Sequence, residues 1–487
     1  MLASITETLT DRGLGLPQGQ AQPIAVTGCC SSGTVDTPTL VRTADQLTTT
    51  FGQGPLVELA AYLLALTGGP LVVCRATTAT AGSAGSVTRT GTGSDSDAWA
   101  MTVSGTPRDA YSVKVKVTRA GATLAALTAA VRISIDGGLT YGPETPVPSN
   151  GVIAIGNTGL TVTFDDDTAA DEAFVDDVYD FACSAPVWDA TGLASALAAL
   201  KVAGPSLEHD GVVIQGHVTG VTVATVKTAH DAAMSASKPR WFLCHTRDQN
   251  SGESVATWAG VLVGGSPGFS AHTANLMAIA AGYCDIDSQT IGGIWRRPVM
   301  WPLAARFATT PVSQHPGRVR TGKLAGIRDG SLHHDLASST LQTLDPRRFI
   351  GAQTLQGVDG YIATDRTTAA DGSDFTSIMR VRVICYAARV AMLRMVDEVN
   401  EDRLINDDGT LDSAEADAID QSVTSYLVDE LANKKKNRRY CSDVAISVNR
   451  SQNLVDSPTL PFRLRLRPLY YSTSITIDLG YALQVRS

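Results

Sequence analysis

Ser266 lies in Gly264-Gly265-Ser266-Pro267-Gly268, the G-x-S-x-G spacing of a nucleophile elbow, where a sharp turn exposes a serine for acyl transfer. The chemistry fails one residue later. The residue after the serine must donate its backbone N–H to the oxyanion hole, and Pro267 has none. Gly317 to Leu324 has the spacing of a phosphate-binding Walker loop up to Lys323, but Leu324 replaces the hydroxyl residue that would hold Mg²⁺. Leu404 to Glu415 has the length of an EF-hand loop, with Asn406, Asp408, Gly409 and Glu415 at ligand-loop positions. Its first position, where a carboxylate is required, is Leu404. In His333-His334-Asp335 adjacent side chains point in different directions, so a shared ion is disfavoured. Asp165-Asp166-Asp167 with Asp171, Glu172, Asp176 and Asp177 reads as a solvated acidic face, and Asn449-Arg450-Ser451 is a glycosylation sequon by pattern alone. The eight cysteines include no CxxC pair and suit small buried hydrophobes in a reducing compartment. No nucleophile, base and orienter assemble, so the sequence points away from an enzyme. It implies no catalytic residue, cofactor or metal.

The elements that would position these residues fall into three compositional zones. Between Pro23 and Arg75 a strand at Ile24–Gly28, a helix near Thr43, helical spacing over Leu56–Leu66 and a strand at Leu71–Arg75 make the beginning of an α/β core. Glu58 and Gly68-Gly69-Pro70 interrupt Val57–Cys74 as a membrane span. Ala76–Asp97 reads as a linker of small polar residues. Beyond it, Trp99–Val103, Tyr111–Thr118, Val131–Ile135, Gly151–Ile155 and Leu160–Phe164 read as strands. From Trp188 the pattern alternates again: helix at Leu193–Leu200, apolar run at Gly211–Gln215, helix at Val221–Met234, apolar run at Arg240–His245 and helix at Ala271–Ala281. Near the C-terminus Asp412-Ser413-Ala414-Glu415 is a capping box. It opens a helix with apolar Ile419, Val423, Tyr426, Leu427 and Leu431 that ends in the cations of 434–439. Phe462, Leu464 and Leu466 alternate with Arg463, Arg465 and Arg467. Ile475, Ile477, Leu479, Tyr481, Leu483 and Val485 then occupy every second position, as in a strand paired within its own sheet or donated to another subunit.

Charge separates along the chain. The net charge is −9, which disfavours a nucleic-acid partner. Residues 89–180 hold 6 basic and 13 acidic residues, whereas 434–487 hold 10 basic and 3 acidic. The N-terminus lacks a basic stretch followed by an apolar run, so no signal peptide is read, and the chain is expected to be cytosolic when made.

The ordered set of segments resembles a family. Phe51-Gly52-Gln53-Gly54-Pro55-Leu56-Val57, then Leu63-Leu64 and Gly68–Arg75, looks like the start of a contractile tail sheath protein. Gly360-Tyr361-Ile362, Asp365-Arg366-Thr367, Gly372-Ser373-Asp374-Phe375 and Arg380-Val381-Arg382 resemble the central sheath signature. The helix from Asp412, Val448–Asn453 and Arg467-Pro468 with the final strand resemble the family's C-terminal domain. The resemblance covers 25–75 and 355–487, and 188–350 more loosely.

The resemblance implies a mixed α/β and α+β multidomain fold. Residues 1–22 would be an N-terminal linking arm, 23–84 and 183–365 an α/β sheath core, and 85–182 an inserted, peripheral β-rich domain. A C-terminal α+β inner domain would span 366–473, and 474–487 would be a linking strand. It implies a structural subunit that polymerises as stacked rings around an inner tube and contracts to drive the tube through a target envelope. Its partners would be copies of itself, the inner tail tube, baseplate and tail terminator proteins, with no nucleic acid and no direct membrane insertion. Assembly would take place in the cytoplasm of the producing cell, and the mature site would be a virion tail or injection particle. Lys434, Lys435, Lys436, Arg438 and Arg439 would meet acidic tube residues, or would form a solvated helix terminus. Ile475, Ile477, Leu479, Tyr481, Leu483 and Val485 would form the inter-subunit strand. A non-polymerising tail or baseplate protein is the alternative, and a serine hydrolase a weaker one.

Overall fold

Short apolar runs without alternation make strands buried on both faces, and six of them build a parallel sheet. Phe349–Ile350, Met277–Ala280, Trp241–His245, Gly211–Ile214, Ile24–Gly28 and Leu71–Arg75 lie side by side in that order, all parallel. Thr39–Val41 closes the far edge antiparallel to Leu71–Arg75. The chain first moves to one side of Ile24–Gly28 and later returns to the other, which is doubly wound topology. The computed structural model describes residues 23–470 apart from 93–96, 167–170, 237, 265–268, 270–271, 337–340, 345–347, 356–357, 363, 400, 434–438 and 457–458. The chain divides into two compact units, Met1–Cys385 and Tyr386–Ser487.

Alternate residues of each strand feed two separate cores. Ile24, Val26, Val73, Val213 and Leu243 pack with the helices Pro55–Thr67 and Met300–Thr309 and with Ile378, Val381 and Cys385. Ala25, Val72, Val212, Ile214 and Phe242 pack with Ala190–Lys201, Gly220–Ser235 and Val255–Gly264. Local chemistry sets the helix ends. Pro55 occupies the first turn of Pro55–Thr67, and Gly68 ends that helix at φ 61°, donating its N–H to the Leu64 carbonyl.

Two expectations change. Met277–Ala280 is a buried strand between Trp241–His245 and Phe349–Ile350, not part of a helix over 271–281. Four consecutive apolar residues carry no periodicity that separates strand from helix; pairing on both sides decides it. Within the expected linker, Ser83–Ala84 and Thr88–Thr90 pair with Val178–Ser184. Small polar residues bury little, but their backbone extends a sheet edge. Arg89 fixes the second strand through the Asp177 carboxylate at 2.8 Å.

Between Leu71–Arg75 and Ala190–Lys201 the chain is antiparallel β. Val152–Ala154, Leu160–Asp165 and Ala100–Gly105 form one sheet. Val178–Ser184, Ser112–Arg119, Ala130–Ser134 and Thr145–Pro146 lie side by side in the other, with Thr145–Pro146 at its edge. Val113, Val115 and Val117 face a core with Trp99, Phe164 and Tyr179. Trp295, from the Ile294–Pro298 strand of a separate three-stranded sheet, joins this core, its ring 6.3 Å from that of Tyr111.

Candidate functional site

In the second unit the Ser413–Leu427 helix lies against a two-stranded sheet. Asp412 caps the Ser413–Leu427 helix, its Oδ1 accepting from the Ala414 and Glu415 N–H groups at 2.9 and 3.2 Å. The expected reciprocal half of the box is diverted. Glu415 accepts instead from the Leu404 N–H at 2.7 Å and from Arg403 at 3.4 Å, because the preceding loop folds back over the helix start. Ile419, Val423, Leu427 and Leu431 step by four along the buried face, while Tyr426 falls between them and is exposed. The strand Cys441–Val448 presents Val444, Ile446 and Val448 as its buried alternate residues.

The two edges of this sheet are unlike. Cys441–Val448 and Phe462–Pro468 pair antiparallel, with Ile446 opposite Leu464 and Ala445 opposite Arg465. Helix side chains cover the outer edge of Cys441–Val448. The Ile446 N–H donates to Thr424 Oγ1 at 3.2 Å and the Val448 N–H to Asp420 Oδ1 at 2.7 Å. Among the described residues, no further strand pairs with Phe462–Pro468. Of the basic residues assigned to a tube contact, Arg439 is exposed just before this sheet. Lys434, Lys435, Lys436 and Arg438 lie outside the described residues, as do both terminal arms and Ile475, Ile477, Leu479, Tyr481, Leu483 and Val485.

The first unit contains a charge cluster that the sequence reading missed. Glu58, on Pro55–Thr67, is 1% exposed and accepts from Arg297 Nε and Nη2 at 2.9 and 2.7 Å. Arg297 also lies over the Trp295 and Trp301 rings at 5.1 and 5.8 Å. Buried Asp109, from the β-rich segment, is the second carboxylate here. Desolvation, then the Glu58 charge, push its carboxyl well above the usual range, with Arg297 opposing. The only hint in the sequence was a lone glutamate inside an apolar helix. Arg382, in the sheath-like Arg380-Val381-Arg382, is also fully buried. It donates to the Phe307 and Thr310 carbonyls at 2.7 and 3.0 Å and so closes the end of Met300–Thr309. Burial brings its guanidinium down to about 9.

The catalytic look-alikes have other settings. Gly264 ends the Val255–Gly264 helix, so the residues leading into the serine motif are helical where an elbow needs a strand; Ser266 itself lies outside the described residues. Val319–Thr321 is a single 3₁₀ turn, and Lys323 pairs with Asp329. His333 bonds Asp285 at 2.6 Å while His334 stacks on Trp258 at 4.2 Å. The Asp408 carboxylate accepts from the Thr410 N–H and hydroxyl at 2.9 and 2.6 Å, closing the turn before the second-unit helix. All eight cysteines are buried and free, and burial pushes the Cys30 and Cys74 thiols up to about 12. Among the described residues no three His, Cys, Asp or Glu side chains group as metal ligands, and no helix is long and apolar enough to cross a membrane.

Residues 2–367 match the family DUF2586, N-terminal domain. The chain belongs to the DUF2586 family. No curated protein matches it. Solved structures similar to this DUF2586 member include the sheath complex of an extracellular contractile injection system, PVC, in the contracted state. The two share 9% identity over 99% of each chain, with a TM-score of 0.53. The helical sheath of the anti-feeding prophage in the contracted state shares 11% identity over 99% of this chain and 98% of that one, at 0.52. A chain of the anti-feeding prophage baseplate shares 10% over 99% and 100%, at 0.50. This DUF2586 member therefore has the fold of contractile sheath subunits, over almost its whole length.

Proposed function

We propose that the chain is the structural subunit of a contractile sheath. It polymerises as stacked rings around an inner tube and, on contraction, drives the tube through a target envelope. The observation that carries this reading is the shared fold with two contracted sheath subunits over 99% of the chain. In this reading no enzymatic step is needed: work comes from repacking between an extended and a contracted polymer. Copies of the chain, the inner tube, baseplate and terminator proteins are its partners. It assembles in the producing cell and acts in a virion tail or injection particle.

Three roles follow. Residues 1–22 and 474–487 are linking arms; the edge of Phe462–Pro468, unpaired among the described residues, supports a strand-accepting site in the second unit. Lys434, Lys435, Lys436, Arg438 and Arg439 face the tube through surface pairs worth about 0–1 kcal/mol each, weak enough to release. Residues 85–182 decorate the outer surface. Negative-stain microscopy of the purified full chain tests the function: hollow ribbed cylinders are expected, and monomers alone would refute it. The likeness to a baseplate chain favours one second reading, a non-polymerising baseplate protein, which would give closed rings or monomers.

A further inference from the structure

The exposed face of the second-unit hairpin carries a row of like charges. Arg463, Arg465 and Arg467 alternate along Phe462–Pro468 and all three are exposed. Alternate residues of a strand share a face and stand roughly 6.6–6.8 Å apart. Across the strand pair, Ser447, Ala445 and Asp443 stand opposite these arginines. Only Asp443 is a carboxylate, and it lies 3.9 Å from Arg467 with both side chains exposed. Arg463 and Arg465 have no ionic or side-chain hydrogen-bonding partner among the described residues. Their cross-strand neighbours are a serine and an alanine, neither bulky enough to shield the guanidinium forks. The opposite face, with Leu464 and Ile446, is turned to the interior side of the sheet, so the arginines cannot turn inward.

Charges of one sign in register repel. A partner presenting carboxylates at matching intervals converts that repulsion into bidentate ion pairs, for which arginine is better shaped than lysine. We infer that this arginine strip is a docking surface for an acidic protein face. Nucleic acid fits it less well. The six face residues include no aromatic on which a base could stack, one of the six is an aspartate, and the whole chain carries −9. The strip lies on the face of the hairpin, whereas strand addition uses its edge, so both can be engaged together. The inference goes beyond the sheath reading, because carboxylate recognition by the strip does not require the chain to polymerise.

The test uses the full chain with fluorescein-labelled poly-L-glutamate, and oligo(dT) of equal charge as competitor, read by anisotropy across a salt series. The R463S/R465S variant leaves the Arg467–Asp443 pair intact and alters only exposed side chains; circular dichroism checks its fold. Binding to polyglutamate is expected to weaken about five- to tenfold at low salt with a shallower salt slope, and R463K/R465K should retain most of it. Equal binding by wild type and R463S/R465S would overturn the inference, as would oligo(dT) displacing polyglutamate at equimolar charge. Ribbed cylinders without strip-dependent binding would remove this inference and leave the sheath reading standing. Strip-dependent binding without cylinders would do the reverse.

Discussion

Glu58, Arg297 and Asp109 tie the β-rich segment to the parallel-sheet core by charge as well as by packing. Two buried carboxylates share one guanidinium, so protonating Asp109 relieves the excess. Its folded carboxyl sits near 7 against an ordinary 3.8. A carboxyl raised on folding contributes stability that is fully present below its unfolded value and is lost as pH rises through the folded value. Urea denaturation of wild type should therefore show a fall in midpoint between pH 4 and 7 that Asp109→Asn flattens; superimposable profiles would contradict this. Arg297→Met leaves both carboxylates without a cation. It should cost about 3–5 kcal/mol at pH 8 and less at pH 5, by the same denaturation measurement. The sequence exposed little of this. Glu58 stood out in an apolar helix, but Arg297 is 239 positions away and nothing local marked Asp109.

At the scale of elements, legibility followed periodicity and local chemistry. The alternation of Val113, Val115 and Val117, the step of four from Ile419 to Leu431 and the Asp412 cap were readable because each depends on neighbours in sequence. Met277–Ala280 was not, because its strand character comes from partners on both sides. Nor was the diverted Glu415, whose oxygens serve Leu404 and Arg403. The sequence also could not say which hairpin edge is free. Asp420 and Thr424 close one, and among the described residues no strand pairs with the other side of Phe462–Pro468, the edge proposed above to accept a strand. Adding a bulk constraint there, Leu464→Pro, removes a backbone donor and bends the strand. This variant should stay soluble and helical by circular dichroism yet sediment as unassembled protein. Normal assembly by Leu464→Pro would show that strand addition at this edge is not the link between copies.

For the whole molecule, the net charge of −9 averages an acidic segment at 89–180 and a basic one at 434–487. Removing 85–182 takes Asp109 away and leaves Glu58 and Arg297 as a balanced pair, although it uncovers Trp295. Combined with Trp295→Ser, the deletion should leave polymers that look narrower in projection; loss of assembly would contradict an outer, dispensable placement of that segment. Negative-stain microscopy of the full chain beside a chain ending at residue 473 tests the sheath assignment most directly. A sheath subunit linked by its C-terminal arm should give hollow ribbed cylinders from the full chain and only dispersed, folded particles from the truncated one. Dispersed particles from both would contradict the assignment.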